Sequence, residues 1–362
     1  MKIGYDAKRY FHNKTGLGNY SRDLVNTVIA AHPEDQFFLF DSKPTIEGLA
    51  PNTIAIPPGN GIPFLSTSFL WRPYFMRREM AKYMLNVFHG LSNELPWGKY
   101  PAGIKKIVTI HDVIFKHYPD HYQAFDRFVY DKKTAHAVKI ADRIIATSRA
   151  TADDLMRFYK VDASKLHVVY QSCGEGHRQT YADDVITSFR NKHQIPENSF
   201  LYLSSFQTRK NHLQLLKAYA LYKGPYKLVL AGKPGETLKA CKQFINDHHL
   251  VNKVVILEGL ENRDLPLLYR SCAAFVYPSL IEGFGIPLIE AAQASLPIAV
   301  NDIAIFRELA PAGSLFFKAD DVQGFARQLE ALSRMPKSVY NLFLKGLDPV
   351  DQAHTVYEIY GL

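Results

Sequence analysis

Two carboxylates flank a glycine-containing turn in the stretch PSLIEGFGIPLIEA. Glu282 precedes Gly283, Phe284 and Gly285, and Glu290 lies eight positions after Glu282. A carboxylate accepts hydrogen bonds from two hydroxyls of one sugar ring, and the backbone amides of such a turn can meet a phosphate or sugar oxygen. The spacing therefore fits a nucleotide sugar, which carries hydroxyls at both ends and a diphosphate between them. Alternatively, either acid could merely stabilise a helix N-terminus, which explains one acid better than both.

Two adjacent cations occur in a second stretch, FQTRKNH. Arg209 and Lys210 follow a predicted strand and precede a predicted helix, for which Asn211 is a candidate N-cap. Arginine offers several donors in one plane to phosphate oxygens, and lysine adds a compact charge. We expect these two residues to bind a diphosphate. The alternative is that they are exposed to solvent and bind nothing, as is more common for adjacent Arg and Lys residues.

Two further stretches place small or polar residues after strands of the first half. In TIHDV, His111 directly follows an apolar strand, so its side chain or its carbonyl can face a bound sugar. In TGLGNY, Gly16 and Gly18 open a helical pattern and allow the backbone to approach a ligand closely. The alternative for His111 is a structural histidine whose hydrogen bonds are made within the protein. The alternative for TGLGNY is an ordinary strand-to-helix turn.

Short β-rich runs alternate with helical patterns along the whole chain, which predicts parallel sheets with crossover helices. The predicted strands are Lys2–Asp6, Gln36–Phe40, Asn86–His89, Lys106–Ile110, Arg143–Thr147 and His167–Tyr170, and then Ser199–Ser204, Lys227–Ala231, Val254–Leu257, Ala274–Tyr277, Ile298–Val300 and Ser314–Phe316. A chain of 362 residues is long for one core. We therefore expect an α/β protein of two Rossmann-like domains, joined through the polar residues 171–197.

Composition narrows the class of protein. Hydrophobic residues make up 47% of the chain and charged residues 22%, as in ordinary globular proteins. The net charge is +8 and is concentrated in residues 1–175, which favours an anionic partner, but no nucleic-acid-binding module is recognised. No D-x-D occurs, so we expect no metal and no cofactor. The three separated cysteines, the absence of a signal peptide and the lack of a long apolar run predict a cytoplasmic protein.

The stretch SLIEGFGIPLIEA, with TRKNH ahead of it, resembles the E-x7-E signature and the R-K-N segment of retaining glycosyltransferase family 4. The resemblance covers nearly the whole chain and implies a GT-B fold, with two Rossmann-like domains facing a cleft. It implies an acceptor-side domain over residues 1–175, a donor-binding domain over 176–349, and a last helix at about 350–362 that crosses back onto the first domain.

The resemblance also implies roles for the residues of these motifs. Arg209 and Lys210 would bind the donor diphosphate, and Glu282 with the amides of residues 283–285 would hold the sugar and nearby phosphate. Glu290 would bind the ribose, Gly16 and Gly18 would approach the donor phosphates, and His111 would sit beside the reacting sugar. Two departures affect the expected identity of the sugar: YQSCGEG stands where many relatives have P-N-G-V, and FRELA where many have L-P-E-V.

We therefore expect a metal-independent retaining glycosyltransferase in cell-surface polysaccharide synthesis. The donor would be GDP-mannose or a UDP-hexose, and the acceptor a glycan or lipid-linked glycan. A non-catalytic nucleotide-sugar-binding subunit of a glycosylation complex is the alternative. A Rossmann oxidoreductase is disfavoured because no GxGxxG follows a strand.

A basic and aromatic stretch, FLWRPYFMRREMAKY at residues 69–83, is the candidate for contact with a membrane. It could rest on an anionic surface at the inner face of the membrane or hold a lipid-diphosphate acceptor. A partly buried amphipathic helix explains the same pattern equally well.

Overall fold

The computed structural model of the chain describes residues 1–59, 70–337 and 347–362, which form two α/β units. The first unit comprises residues 1–172 and the C-terminal helix Pro349–Gly361, and the second begins at Cys173. The division lies three residues before the boundary expected from the sequence.

The first unit contains a parallel sheet of seven strands in the order β3-β2-β1-β4-β5-β6-β7. These strands are β1 Lys2–Asp6, β2 Gln36–Phe40, β3 Thr53–Ile56, β4 Val87–Gly90, β5 Lys105–Ile110, β6 Arg143–Ala146 and β7 Leu166–Val168. The central strands are buried, as expected for parallel strands that are covered by helices on both faces. The strand order reverses between β1 and β4, and ligands of open α/β sheets bind beyond the carboxyl ends at such a point.

The second unit contains a parallel sheet of six strands in the order β10-β9-β8-β11-β12-β13. Its strands are β8 Ser199–Leu203, β9 Lys227–Ala231, β10 Val254–Leu257, β11 Ala274–Tyr277, β12 Ile298–Asn301 and β13 Leu315–Phe317. Here the order reverses between β8 and β11, where Ala274 pairs with Phe200. The two sheets confirm the predicted α/β class.

Helices connect the strands in both units. Those of the first unit are Lys8–His12, Gly16–Ala31, Met76–Tyr83, Ile114–His117, Ala124–Ile140, Arg149–Tyr159 and Pro349–Gly361, with a π-helical turn at Trp71–Phe75. Those of the second are Glu175–Arg178, Asp183–Lys192, His212–Leu221, Leu238–Asp247, Leu265–Ser271, Ile286–Gln293, Ala304–Leu309 and Val322–Leu332. The first two helices of the second unit lie in the polar stretch that was expected to hold the linker.

The C-terminal helix packs into the core of the first unit. Its Ala353, Val356 and Ile359 are buried in the same hydrophobic cluster as Tyr5 and Val25. Hydrophobic burial of this kind, worth roughly 25 cal/mol per Å² of apolar surface, fixes the end of the chain on the first unit although it follows the second in sequence.

Strand β3 was missed by the sequence analysis. Thr53–Ile56 is an edge strand of four residues, of which only Ile56 is fully buried. Prolines stand close to both of its ends, at Pro51 and Pro57. A short, half-exposed strand between prolines carries a weak hydrophobic pattern, since edge strands need only one partner and one buried face.

Candidate active site

The glycine turn after β11 shapes the site in the second unit. Gly285 has φ +92°, and a Cβ there would lie 3.1 Å from the Phe306 ring. Because side chains rarely tolerate this left-handed backbone, glycine permits the chain to turn into the helix Ile286–Gln293. Pro287 occupies the first turn of that helix, as predicted.

Glu282 lies in this turn and is held by residues of two loops. Its carboxylate forms a salt bridge with Lys210 and accepts a hydrogen bond from the Tyr277 hydroxyl at 2.9 Å. The Arg209 guanidinium lies 3.7 Å from its other oxygen. Burial alone favours the neutral acid, but the charges of Lys210 and Arg209 outweigh it and hold the pKa of Glu282 below its usual value. Glu282 is therefore ionised at neutral pH.

Backbone and side-chain hydrogen bonds fasten the loop after β8 to the loop after β11. The Leu280 N–H donates to the Arg209 carbonyl at 2.9 Å and joins the two loops. The Tyr202 hydroxyl, in β8 itself, donates to the Lys210 carbonyl at 2.6 Å and holds the first loop against its own strand. Asn211 occupies the N-cap position of the next helix, but its amide donates to the Pro278 carbonyl at 3.3 Å and makes no cap hydrogen bond. Asn211 is thus the N-cap residue, as predicted, but its left-handed backbone at φ 60° is not the extended conformation in which a side chain caps a helix.

The structure thus brings Arg209, Lys210 and Glu282 together at the carboxyl ends of β8 and β11. Two cations surround one carboxylate, so the three groups carry a net positive charge. Lys210 is only 8% exposed, which weakens screening by water. Such a group can hold an anion and a hydroxylated ring next to each other.

Glu290 lies in the helix after the turn, with partners of its own. Its Oε2 accepts a hydrogen bond from the buried Tyr269 hydroxyl at 2.7 Å, and its Oε1 lies 3.4 Å from His177 Nε2. Burial, reinforced by this carboxylate, raises the pKa of Tyr269 well above its usual value, so the phenol remains a donor. The sequence analysis missed Tyr269 and His177, because nothing in their local pattern marks them as partners of a residue 21 or more positions away.

His111 lies in the first unit, directly after β5. Its Nε2 is 2.9 Å from the Leu91 carbonyl, and its Nδ1 is 3.0 Å from the Gln171 side-chain amide. Its own carbonyl accepts the hydroxyls of Thr147 and Thr151 at 3.0 and 3.3 Å. Burial lowers the pKa of His111 to about 4, so the ring is neutral at neutral pH. These contacts hold the ring in place, and the sequence analysis missed its partner Gln171.

The two glycines of TGLGNY differ in their surroundings. The helix Gly16–Ala31 begins at the first of them. A Cβ on Gly18 would lie 1.8 Å from the Asn13 carbonyl oxygen, whereas a Cβ on Gly16 would meet nothing within 4 Å. The protein's own loop thus requires glycine at 18. The predicted approach of both glycines to a ligand stays a prediction.

The segment 69–83 falls partly outside the described residues, since Phe69 does not belong to them. Within the remainder, Trp71, Met76 and Met80 are buried, as in a helix packed on a core. Its cations have partners inside the unit: Arg72 binds Asp6 and Glu94, Arg77 donates to the Trp97 carbonyl, Arg78 lies over the Phe75 ring and Lys82 pairs with Glu79. The arrangement favours the partly buried amphipathic helix.

Two features of the described residues bear on ligands and membranes. No group of three or more His, Cys, Asp or Glu side chains among them could hold a metal ion. None of their helices combines the length and the apolar character needed to cross a bilayer.

Two family models match the chain, one in each half. The model described as "Glycosyltransferase Family 4" matches residues 16–172, and the one described as "Glycosyl transferases group 1" matches residues 185–342. Together the two matches cover most of the chain. The chain is a group 1 glycosyltransferase. This confirms the predicted enzyme class, whereas the E-x7-E signature itself stays a prediction.

Sequence relatives of this glycosyltransferase include several mannosyltransferases. O-antigen chain mannosyltransferase B of Escherichia coli is 25% identical over 348 residues, which cover 91% of this chain and 90% of that protein. O-antigen chain mannosyltransferase RfbU of Salmonella typhimurium is 27% identical over 64% of this chain and 62% of that protein. Serotype-specific mannosyltransferase WbdA of Escherichia coli is 28% identical over 68% of this chain, but this chain matches only 32% of that longer protein.

Solved structures share the fold of this glycosyltransferase. Anabaena HepE in complex with UDP and glucose gives a TM-score of 0.73 at 16% identity, covering 100% of this chain and 99% of that one. Sucrose-phosphate synthase from Thermosynechococcus elongatus gives 0.74 at 16% identity, covering 100% and 98%. At such identities the likeness establishes the fold alone. The predicted GT-B fold is confirmed.

Proposed function

We propose that this glycosyltransferase transfers a hexose with retention from a nucleotide-diphosphate sugar to a glycan or lipid-linked glycan in cell-surface polysaccharide synthesis. GDP-mannose is the favoured donor, because relatives matching this chain are named O-antigen mannosyltransferases. A UDP-hexose is the second candidate, because UDP and glucose are bound in the HepE structure. The observation that carries the proposal is the Lys210–Glu282 pair with Arg209, at the point where the strand order of the second unit reverses.

The proposed roles follow from charge and position. Lys210 and Arg209 stabilise the diphosphate, whose negative charge grows as the bond to the sugar breaks. Glu282, kept ionised by the same cations, accepts hydrogen bonds from the sugar hydroxyls. Glu290, oriented by the Tyr269 hydroxyl, accepts the ribose hydroxyls. The proposed roles of the backbone amides of residues 283–285, and of Gly16 and Gly18, rest on the family resemblance.

The proposed reaction takes place on one face of the sugar. The bond between the anomeric carbon and the phosphate oxygen breaks, and the acceptor oxygen attacks from the side on which the phosphate leaves. The proton of the acceptor hydroxyl passes to a phosphate oxygen of the leaving group. Both ring nitrogens of His111 contact protein groups, Nε2 the Leu91 carbonyl and Nδ1 the Gln171 amide. The proposed role of His111 is therefore to position the reacting sugar and not to take the proton.

A panel of nucleotide sugars tests donor binding. GDP-mannose, UDP-glucose, UDP-galactose and UDP-N-acetylglucosamine are each added to the protein in EDTA, and melting is then followed with and without Mg²⁺. A ligand of the native state stabilises it by mass action, by about 2.7 kcal/mol at a hundred times its Kd. One donor should raise Tm in EDTA, with Mg²⁺ adding little. The proposal fails if no nucleotide sugar shifts Tm, and its metal-independent part fails if the shift requires Mg²⁺.

We also propose weak, electrostatic attachment to an anionic membrane surface, for which the net charge of +8 is the support. The exposed residues of the stretch 70–83, which include the cations Arg78 and Lys82 beside Tyr74, are the proposed contact. Binding to vesicles with an anionic lipid should fall steeply between low and physiological salt. Equal binding to neutral and anionic vesicles would contradict this proposal.

A further inference from the structure

Gln171 binds the predicted catalytic histidine from the end of the first unit. It lies two residues before the second unit begins at Cys173, and it is buried, with 6% of its surface exposed. Its side-chain amide nitrogen is 3.0 Å from His111 Nδ1. At this point the sequence YQSCGEG departs from the pattern of the family it resembles.

The partners of the ring determine where its proton lies. A backbone carbonyl can only accept, so the contact between His111 Nε2 and the Leu91 oxygen requires the proton on Nε2. In the neutral ring Nδ1 then carries a lone pair. The Gln171 amide meets that lone pair with an N–H donor. Both contacts are thus satisfied by one tautomer.

The remaining contacts of His111 hold its backbone and one ring edge. Its N–H donates to Asn93 Oδ1 at 2.8 Å, and its carbonyl accepts the Thr147 hydroxyl. The Tyr20 ring packs edge-on against the imidazole, with centroids 4.7 Å apart. These contacts fix the position of the ring but leave open which nitrogen is protonated. The Leu91 carbonyl accepts from one ring nitrogen, and the Gln171 amide donates to the other.

We propose that Gln171 is a positioning residue, which holds His111 as the neutral Nε2–H tautomer in one orientation. This inference rests on the proposed function in so far as it places His111 beside the reacting sugar. Loss of the amide would leave Nδ1 buried without a partner, and the ring would turn or change its tautomer. The reacting sugar would then be misplaced, while the donor diphosphate site at Lys210 would stay intact.

Nitrogen NMR of the histidine rings reads the tautomer without any assay of activity. The His111 signals are assigned by their loss in His111→Gln. In the wild-type protein at neutral pH we expect a protonated Nε2 and an unprotonated Nδ1. An Nδ1–H tautomer or a rapid exchange between both forms in the wild type would overturn the inference, even if no variant can be produced.

The variant Gln171→Met keeps the length of the side chain and removes its N–H. We expect the His111 nitrogen signals to move and kcat to fall about tenfold or more, because small displacements in an active site are costly. The KM for the donor should change less than about twofold, since the donor site lacks this residue.

Ser172→Ala is the matched control, because the Ser172 hydroxyl binds Gln352 Oε1 at 2.9 Å and not His111. It should leave both the His111 signals and kcat near the wild type. Unchanged His111 signals in Gln171→Met, or an equal fall of kcat in Ser172→Ala, would overturn the inference. If the expected NMR signals appear in a protein that transfers no sugar, the proposed function fails instead.

Discussion

Replacing Lys210 with alanine is expected to lower kcat/KM for the nucleotide-sugar donor by about a hundredfold or more. The variant loses the cation that binds Glu282 and, in the proposed reaction, the departing diphosphate. Removing a preorganised charge from a site with little water raises the activation free energy strongly, because bulk solvent does not replace that charge. Steady-state kinetics with the donor identified by melting measures the effect.

Stability has to be separated from catalysis in this experiment. Lys210→Ala leaves the buried Glu282 carboxylate without its closest cation, and breaking a buried pair destabilises by about 3–5 kcal/mol. Lys210→Arg keeps the positive charge and should retain more activity than the alanine variant. Lys242→Ala is the surface control, because it breaks an exposed Lys–Glu pair with Glu258 at 2.7 Å. If Lys210→Ala is nearly as active as the control, Lys210 does not stabilise the departing diphosphate.

Glu282→Gln is expected to reduce kcat by about a hundredfold. The amide has the size of the acid, and its oxygen can still accept the Tyr277 hydroxyl, so the turn should keep its shape. Glutamine lacks the negative charge that faces Lys210. It also lacks the second acceptor oxygen that is needed for the sugar hydroxyls. Turnover at saturating donor, with melting temperature as a check on folding, measures this change.

The control for Glu282→Gln is Glu258→Gln, which makes the same chemical change in the exposed pair with Lys242. Surface pairs contribute about 0–1 kcal/mol, so this control should behave like the wild type. If Glu282→Gln transfers sugar at nearly the normal rate, the residue does not hold the reacting sugar. Glu290→Gln, in contrast, should mainly weaken donor binding.

The sequence placed the candidate site residues of the second unit after strands because that signal is local. Arg209 and Lys210 follow one apolar strand, and Glu282 follows another. Parallel strands place their carboxyl ends at one edge of a sheet, so residues after β8 and β11 meet once those strands become neighbours. The order of the strands was not predicted from the sequence and comes from the structure.

The pairings within the site could not be predicted in this way. Lys210 and Glu282 are 72 positions apart, and their salt bridge depends on the path of two loops. The same is true of Gln171 and His111, which are 60 positions apart. Asn211 is the N-cap residue that its local sequence predicts, but its side-chain amide donates to the Pro278 carbonyl of another loop and makes no cap hydrogen bond. Local propensity decides such positions only when no tertiary partner competes.

The most direct test of retaining transfer is proton NMR of the products formed from the donor that stabilises the protein most. The sugar is followed at its anomeric proton as it passes to an acceptor or, more slowly, to water. The account predicts release of the nucleoside diphosphate, with the sugar appearing first in the anomeric configuration it had in the donor. Appearance of the opposite anomer first, or a bound donor that is never cleaved, would contradict it.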